Sequence, residues 1–119
     1  MSRLETHLKK YREFKAAAEA VDFEAAKVEM WFLSAYHLIE ACAAKQRMHI
    51  LKHQRVAQEL RRWPAVPGPG TSAVATAFEY LDRDARAKFV YGASGATADL
   101  ARAQKSFETI ESRCLEVLG

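Results

Sequence analysis

Residues that interrupt or cross-link a fold are scarce in this chain. Its 119 residues include only 5 glycines, 3 prolines and 2 cysteines. Cys42 and Cys114 stand alone rather than in a CxxC pair, so neither a zinc ribbon nor a thiol redox motif is indicated. No apolar run approaches the roughly 20 residues that a membrane-spanning helix needs, and the charged N-terminus is unlike a signal peptide. We therefore expect a soluble cytoplasmic protein without membrane association. Its two thiols should be reduced and buried, and residues 1–119 should form a single domain.

The composition favours helix instead. Of the residues, 50% are apolar and 28% are charged, and alanine is abundant, so disorder is disfavoured. Helical spacing of apolar residues predicts helices over residues 2–20, 23–46 and 49–63, a fourth from Thr71 or Ser72 to Gly92, and a fifth from Ser94 or Thr97. Asp22 is the predicted N-cap of the second helix, and the Pro- and Gly-rich residues 64–70 form a loop. The predicted fold is all-α, an antiparallel four- to five-helix up-and-down bundle.

The second predicted helix is apolar on more than one face. Met30 and Leu33 lie on one side, Phe32 and Ile39 on another, and Leu38 widens the apolar band. A helix of this kind is either central in the bundle or also part of a subunit interface. We predict a homodimer that forms through this helix.

The segment that follows this helix carries chemistry suited to RNA. Arginine has a planar guanidinium that matches phosphate oxygens, and histidine can move a proton near neutral pH. Cleavage of RNA without a metal needs both functions, because a base must take the proton of the 2'-hydroxyl and a cation must stabilise the charged phosphorane. Arg47 and His53 are therefore the predicted catalytic residues. The predicted nucleic-acid-binding residues are Tyr36, His37, His49, Lys52 and Arg55.

Each of these residues also has a plainer interpretation. On an unbroken helix Arg47 and His53 would point about 120° apart, so catalysis requires either a helix break near Met48 or convergence across a dimer. Otherwise Arg47 is a cation at a helix C-terminus and His53 a surface residue. His49 and His53 are four apart and could offer two metal ligands, but no third ligand is evident. We predict no metal and no other cofactor.

A basic run covers the third predicted helix. It contains Lys52, Arg55, Arg61 and Arg62 and ends at Trp63. A basic surface with an aromatic side chain suits single-stranded RNA, and the alternative is a solvated helix face. The net charge of +3 permits nucleic-acid binding but does not indicate it by itself.

Further along the chain, Arg86 and Tyr91 are expected to form ion pairs and hydrogen bonds inside the bundle. They are the secondary candidates for a site. Both lie in the fourth predicted helix.

Several segments in sequence order resemble one family. They are residues 22–27 (DFEAAK), 34–41 (SAYHLIEA), His53, 81–91 (LDRDARAKFVY) and 101–110. From about Phe14 to Leu118 the chain resembles the HEPN family, the "higher eukaryotes and prokaryotes nucleotide-binding" helical bundles, and above all its small stand-alone prokaryotic members. That family includes dimeric, metal-independent ribonucleases, many of them toxins or defence proteins, whose signature is an arginine, four to six residues and a histidine. Arg47 and His53 have this spacing.

The resemblance implies one of two functions. The first is an RNA- or nucleotide-directed function, including metal-independent endoribonuclease activity of a toxin–antitoxin or defence type. The second is that of a non-catalytic binding module that partners a nucleotidyltransferase or another protein, as other members of the family do.

Overall fold

Five α-helices make up most of residues 2–48, 53–62, 71–92 and 96–119, which are the parts of the chain that this computed structural model describes. The helices are α1 (Arg3–Ala20), α2 (Glu24–Lys45), α3 (Val56–Arg62), α4 (Thr71–Glu79) and α5 (Thr97–Leu118). A short 3₁₀ turn, His53–Arg55, precedes α3, and α4 continues in π-helical geometry through Tyr80–Ala85 and Ala87–Tyr91. The described residues contain no strand, and the predicted all-α helical bundle is confirmed. The predicted loop over residues 64–70 lies outside the described residues.

The first two helices form an antiparallel hairpin. α1 begins with a capping box, in which Ser2 and Glu5 each accept a hydrogen bond from the other's backbone N–H. Near the middle of the hairpin, the Ser34 hydroxyl donates to the Tyr11 carbonyl at 2.8 Å. At its open end, the Arg3 guanidinium donates to the carbonyl of Met48. The first turn of α1 therefore lies beside the end of α2.

The N-terminus of α2 differs from the prediction. Phe23, not Asp22, occupies the N-cap position, and no side chain caps this end. The prediction was wrong because it used the preference of aspartate for caps, whereas the residue that adopts the extended cap conformation is Phe23 (φ −74°, ψ 117°).

Helix α2 is the central helix of the bundle. It packs against α1, α4 and α5. Leu38 and Ile39 on α2 are fully buried, as are Leu81 and Ile110 on its neighbours. Within α2 only the end residues Glu24 and Lys45 are exposed. The monomer thus buries the broad apolar surface of α2 in its own core, and the homodimer stays a prediction.

The last helix joins both members of the hairpin. An apolar stripe along α5 is buried at Ala103, Phe107, Ile110 and Cys114. The Cys42 thiol donates to the Cys114 carbonyl at 3.6 Å. Towards α1, the carboxylate of Glu111 accepts a hydrogen bond from the Tyr11 hydroxyl at 2.6 Å and pairs with Lys15 at 2.6 Å. Burial and the bond to Glu111 raise the pKa of Tyr11.

Gly92 ends the helical run that begins with α4, as predicted. A Cβ at this position would lie 2.7 Å from the Ala87 carbonyl oxygen and 2.9 Å from that of Lys88. Only glycine allows the chain to leave the helix at this point without displacing the backbone. In the described part of the chain, no helix is both long and apolar enough to cross a membrane.

Candidate functional site

His53 lies at the junction of α2, α4 and the 3₁₀ turn that precedes α3. Its ring meets the Phe32 ring edge to face, with centroids 5.3 Å apart. Its Nδ1 atom is buried 3.3 Å from Asp82 Oδ1, which is within ion-pair distance but not in hydrogen-bond alignment. Because the side chain is still 36% exposed, solvent reaches the ring from its other edge. With Nδ1 buried beside the carboxylate, the exposed edge of the ring is the one that carries Nε2.

Asp82 connects His53 to a largely buried arginine. Arg86 is only 13% exposed, and its Nη1 lies 3.0 Å from Asp82 Oδ1. Its Nε and Nη2 donate to the two carboxylate oxygens of Glu29 at 3.0 and 3.2 Å, and Nη2 also donates to the Tyr91 hydroxyl at 3.2 Å. The guanidinium carbon lies 4.1 Å from the centroid of the Phe32 ring. The expected ion pairs and hydrogen bond of Arg86 are therefore present, but Tyr91 is 73% exposed and does not lie inside the bundle as predicted.

The bonds of Arg86 define what it can do. Burial opposes its charge, but the hydrogen bonds to Glu29 and Asp82 outweigh this effect, and the Arg86 pKa is raised. With its donors engaged by two carboxylates and a hydroxyl, this guanidinium is a structural cation. We call Glu29, His53, Asp82 and Arg86 the charge network.

Arg47 lies far from this network. It follows α2 in a Schellman motif, in which the Met48 N–H donates to the Ala43 carbonyl at 2.8 Å and the Arg47 N–H to that of Ala44 at 3.0 Å. The His53 ring contacts Phe32, which precedes Arg47 by fifteen residues, or roughly 20 Å along a helix. Within one chain, the structure does not bring Arg47 and His53 to the same phosphate. Their catalytic pairing stays a prediction that requires a second chain.

The backbone of Arg47 yields a stability prediction. Its φ is +59°, in the left-handed region that glycine adopts without strain and other residues do not. Arg47→Gly should raise the free energy of unfolding by about 1 kcal/mol, measured by urea denaturation. Arg47→Ala, which also lacks the guanidinium but keeps a Cβ, is the matched control and should change stability little. A glycine variant less stable than the alanine variant would contradict this account.

Tyr36 and His37 belong to a second cluster, between α1 and α2. The His37 ring stacks on Phe14 with centroids 5.6 Å apart, and its Nδ1 lies 2.9 Å from that of His7. Burial, together with the nearby His7 and Lys10, lowers the pKa of His37 to about 4. His37 is therefore neutral at pH 7. It follows Phe32 by five residues on α2, so the two side chains point about 140° apart around the helix. The structure thus separates His37 from the charge network.

A buried carboxylate completes this second cluster. Glu40 is fully buried, and its Oε2 lies 3.9 Å from His7 Nε2. Burial and the charge of Glu40 raise the pKa of Tyr36, so its phenol is neutral. We call His7, Tyr36, His37 and Glu40 the histidine cluster.

The remaining predicted residues can be placed only in part. Arg55 is exposed on the same 3₁₀ turn as His53. His49 and Lys52 lie outside the described residues. Among the residues that the structure describes, no group of three His, Cys, Asp or Glu side chains is arranged to hold a metal ion.

Sequence reasoning missed Asp82 as a neighbour of His53 and Glu29 as a partner of Arg86. Asp82 and Arg86 are four apart, and this spacing is a sequence signal for a helical ion pair. Nothing in the sequence links either residue to Glu29 or to His53, because tertiary packing alone brings them together. Comparison of the chain with protein-family models, curated proteins and solved structures found no match. The resemblance to the HEPN family therefore stays a prediction.

Proposed function

We propose that this protein has an RNA- or nucleotide-directed function. In this function the His53 imidazole transfers a proton, and the Asp82 carboxylate orients the imidazole ring. One observation carries the proposal: the imidazole has one nitrogen buried 3.3 Å from a carboxylate while its other edge faces solvent. Carboxylate-oriented histidines are general bases in many enzymes. The neighbouring Arg55 is exposed and could contact the phosphate backbone.

The corresponding reaction is metal-independent cleavage of RNA. His53 Nε2 takes the proton of a 2'-hydroxyl, whose oxygen then bonds to the adjacent phosphorus. The bond from phosphorus to the 5' oxygen breaks, and that oxygen takes a proton from solvent water. The products are a 2',3'-cyclic phosphate and a 5'-hydroxyl. In this proposal Arg47 of a second copy supplies the cation that stabilises the phosphorane, as the HEPN resemblance implies for a toxin or defence ribonuclease.

The test is cleavage of a mixed RNA pool in excess EDTA. His53→Ala should lower the rate by about 10²- to 10⁴-fold, the usual contribution of a general base. Arg83→Ala, an exposed change next to Asp82, is the control and should cleave at the wild-type rate. Equal cleavage by wild type and His53→Ala, or products that end only in 3'-hydroxyls, would exclude this mechanism.

A second candidate is a non-catalytic binding module that partners a nucleotidyltransferase or another protein. It is favoured by the roughly 20 Å of helix that separate Arg47 from Phe32, the residue that the His53 ring contacts. Sedimentation velocity distinguishes the two candidates. A protein that remains monomeric at working concentration cannot build a site from two copies, and this result together with an absence of cleavage would favour the module.

We also propose that the protein is cytoplasmic. Its two buried cysteines are adjacent but unbonded, as expected where thiols are kept reduced.

A further inference from the structure

A second surface, unrelated to His53, is a groove between α4 and α5. It has a volume of about 560 Å³, within the range of small-molecule sites. Four hydroxyl-bearing side chains and two cations line it: Ser72, Thr76, Ser106, Thr109, Arg102 and Lys105. Between these polar groups lie Ala73, Ala77 and the ring of Tyr80. The groove thus combines hydrogen-bond donors, positive charge and an apolar floor.

Among the residues that the structure describes, those that line the groove include its two cations and no carboxylate. Asp99, whose carboxylate also interacts electrostatically with Arg102, forms its ion pair with Lys88 at 2.9 Å. Lys105 also lines the adjoining cavity together with Glu108, and Glu108 does not line this groove. The groove is therefore electropositive, and an anion would meet no opposing charge from its lining.

One of the cations is held in place before any ligand binds. The guanidinium carbon of Arg102 lies 4.1 Å from the centroid of the Tyr80 ring, close enough for a cation–π interaction. The ring is itself fixed, because Tyr80 is 3% exposed and its hydroxyl donates to the Asp99 carbonyl at 3.1 Å. Burial raises the pKa of Tyr80, so the phenol stays a neutral donor. A prepositioned guanidinium loses less entropy on binding phosphate.

A third cation stands at the edge of the groove. Arg61 of α3 donates to the Thr76 hydroxyl at 3.4 Å, and it also pairs with Glu79. This arrangement orients Thr76 without adding an unpaired charge.

We propose that the α4–α5 groove binds an organic phosphate. Arg102 and Lys105 contact the phosphate, the hydroxyl groups complete its hydrogen bonds, and the carbon skeleton lies against Ala73 and Ala77. The site is separate from the charge network, because Asp82 and Arg86 face α2 and His53 whereas Tyr80 faces α5. The proposal does not depend on the proposed ribonuclease function.

The experiment is an NMR titration of the intact protein with adenosine 5'-monophosphate as the probe, up to about 10 mM, which covers weak organic-phosphate binding. We expect saturable shifts in the amides of Ser106 and Thr109. Arg102→Gln combined with Lys105→Gln should weaken binding at least about tenfold, since hydrogen bonds from charged groups contribute strongly. Lys9→Gln combined with Lys10→Gln removes two charges from α1 and should leave the affinity unchanged.

Any one of the following results would overturn the proposal. No saturable shift in the groove, or equal affinity for the wild type and the α5 double variant, would do so. Adenosine that binds as tightly as the monophosphate would exclude the phosphate contacts, and inorganic phosphate that binds as tightly would exclude the apolar ones. His53→Ala should bind the probe like wild type. Loss of binding in that variant would place the probe at the charge network instead, whatever the outcome of the RNA cleavage test.

Discussion

Replacement of Arg86 by alanine is expected to lower the free energy of unfolding by about 3 kcal/mol, at the lower end of the cost of breaking a buried ion pair, because this pair is largely but not fully buried. Arg86 holds the carboxylates of Glu29 and Asp82, of which the latter is only 12% exposed. Without the guanidinium, these two negative charges remain close together and poorly solvated. The Phe32 ring also loses the planar group that covers it. The predicted decrease in Tm is about 10 °C, measured by circular dichroism.

Arg83 provides the matched control for this prediction. It lies on the same helix, is 65% exposed and meets Glu79 at 3.5 Å. Arg83→Ala should therefore change stability by less than about 0.5 kcal/mol. Arg86→Lys keeps the charge but cannot bond both oxygens of Glu29 in parallel. Its free energy of unfolding should therefore lie between those of wild type and Arg86→Ala. If Arg86→Ala were no less stable than Arg83→Ala, the charge network would not stabilise the fold.

The histidine cluster should make the protein less stable as the pH falls from 7 to 5. His37 has a pKa of about 4 in the folded protein, below the ordinary value of 6.5. Between these two values the unfolded chain binds a proton that the folded chain rejects, so acid favours unfolding. The stability that neutral His37 contributes is full above pH 6.5 and declines as pH falls towards 4. With allowance for partial solvent exposure, we expect a loss of about 1 kcal/mol between pH 7 and 5.

The comparison that isolates this effect is urea denaturation of wild type and His37→Phe at each pH. Phenylalanine keeps the stacking on Phe14 and cannot take a proton, so the difference in stability between the two proteins should change by about 1 kcal/mol across the range. Titration of groups that do not contact His37 cancels in this difference. The groups that face His37 are His7 and Lys10 from α1 and Tyr36 from α2, with Glu40 next to His7. Lys10→Gln should reduce the loss of stability between pH 7 and 5, because it removes a charge that lowers the pKa of His37. If the stabilities of wild type and His37→Phe changed in parallel with pH, His37 would not be the cause of the loss.

The sequence predicted those parts of the fold that depend on local periodicity. The stripe Ala103, Phe107, Ile110 and Cys114 was predictable because one helix face repeats every 3.6 residues. The end at Gly92 was predictable because glycine tolerates backbone positions that exclude a Cβ. Both features need only neighbouring residues, and both match the structure.

The candidate site was less predictable because it depends on how the chain returns on itself. The spacing of Arg47 and His53 in the sequence does not predict that His53 packs against Phe32, near the middle of α2. Likewise, Glu29 and Asp82 meet through Arg86 only after α4 has packed against α2. Helical periodicity cannot supply such long-range pairings.

The connection of α5 to the N-terminal hairpin has a consequence for the order of folding. α1 and α2 are neighbours in the chain, so their contacts can form early and at little cost in loop closure. The bonds of Glu111 to Tyr11 and Lys15, and of Cys42 to the Cys114 carbonyl, must wait for the last helix to emerge from the ribosome. Until then the face of α2 that α5 covers is open to water and to other nascent chains. The interval before α5 docks is therefore the stage at which this protein is most exposed to aggregation.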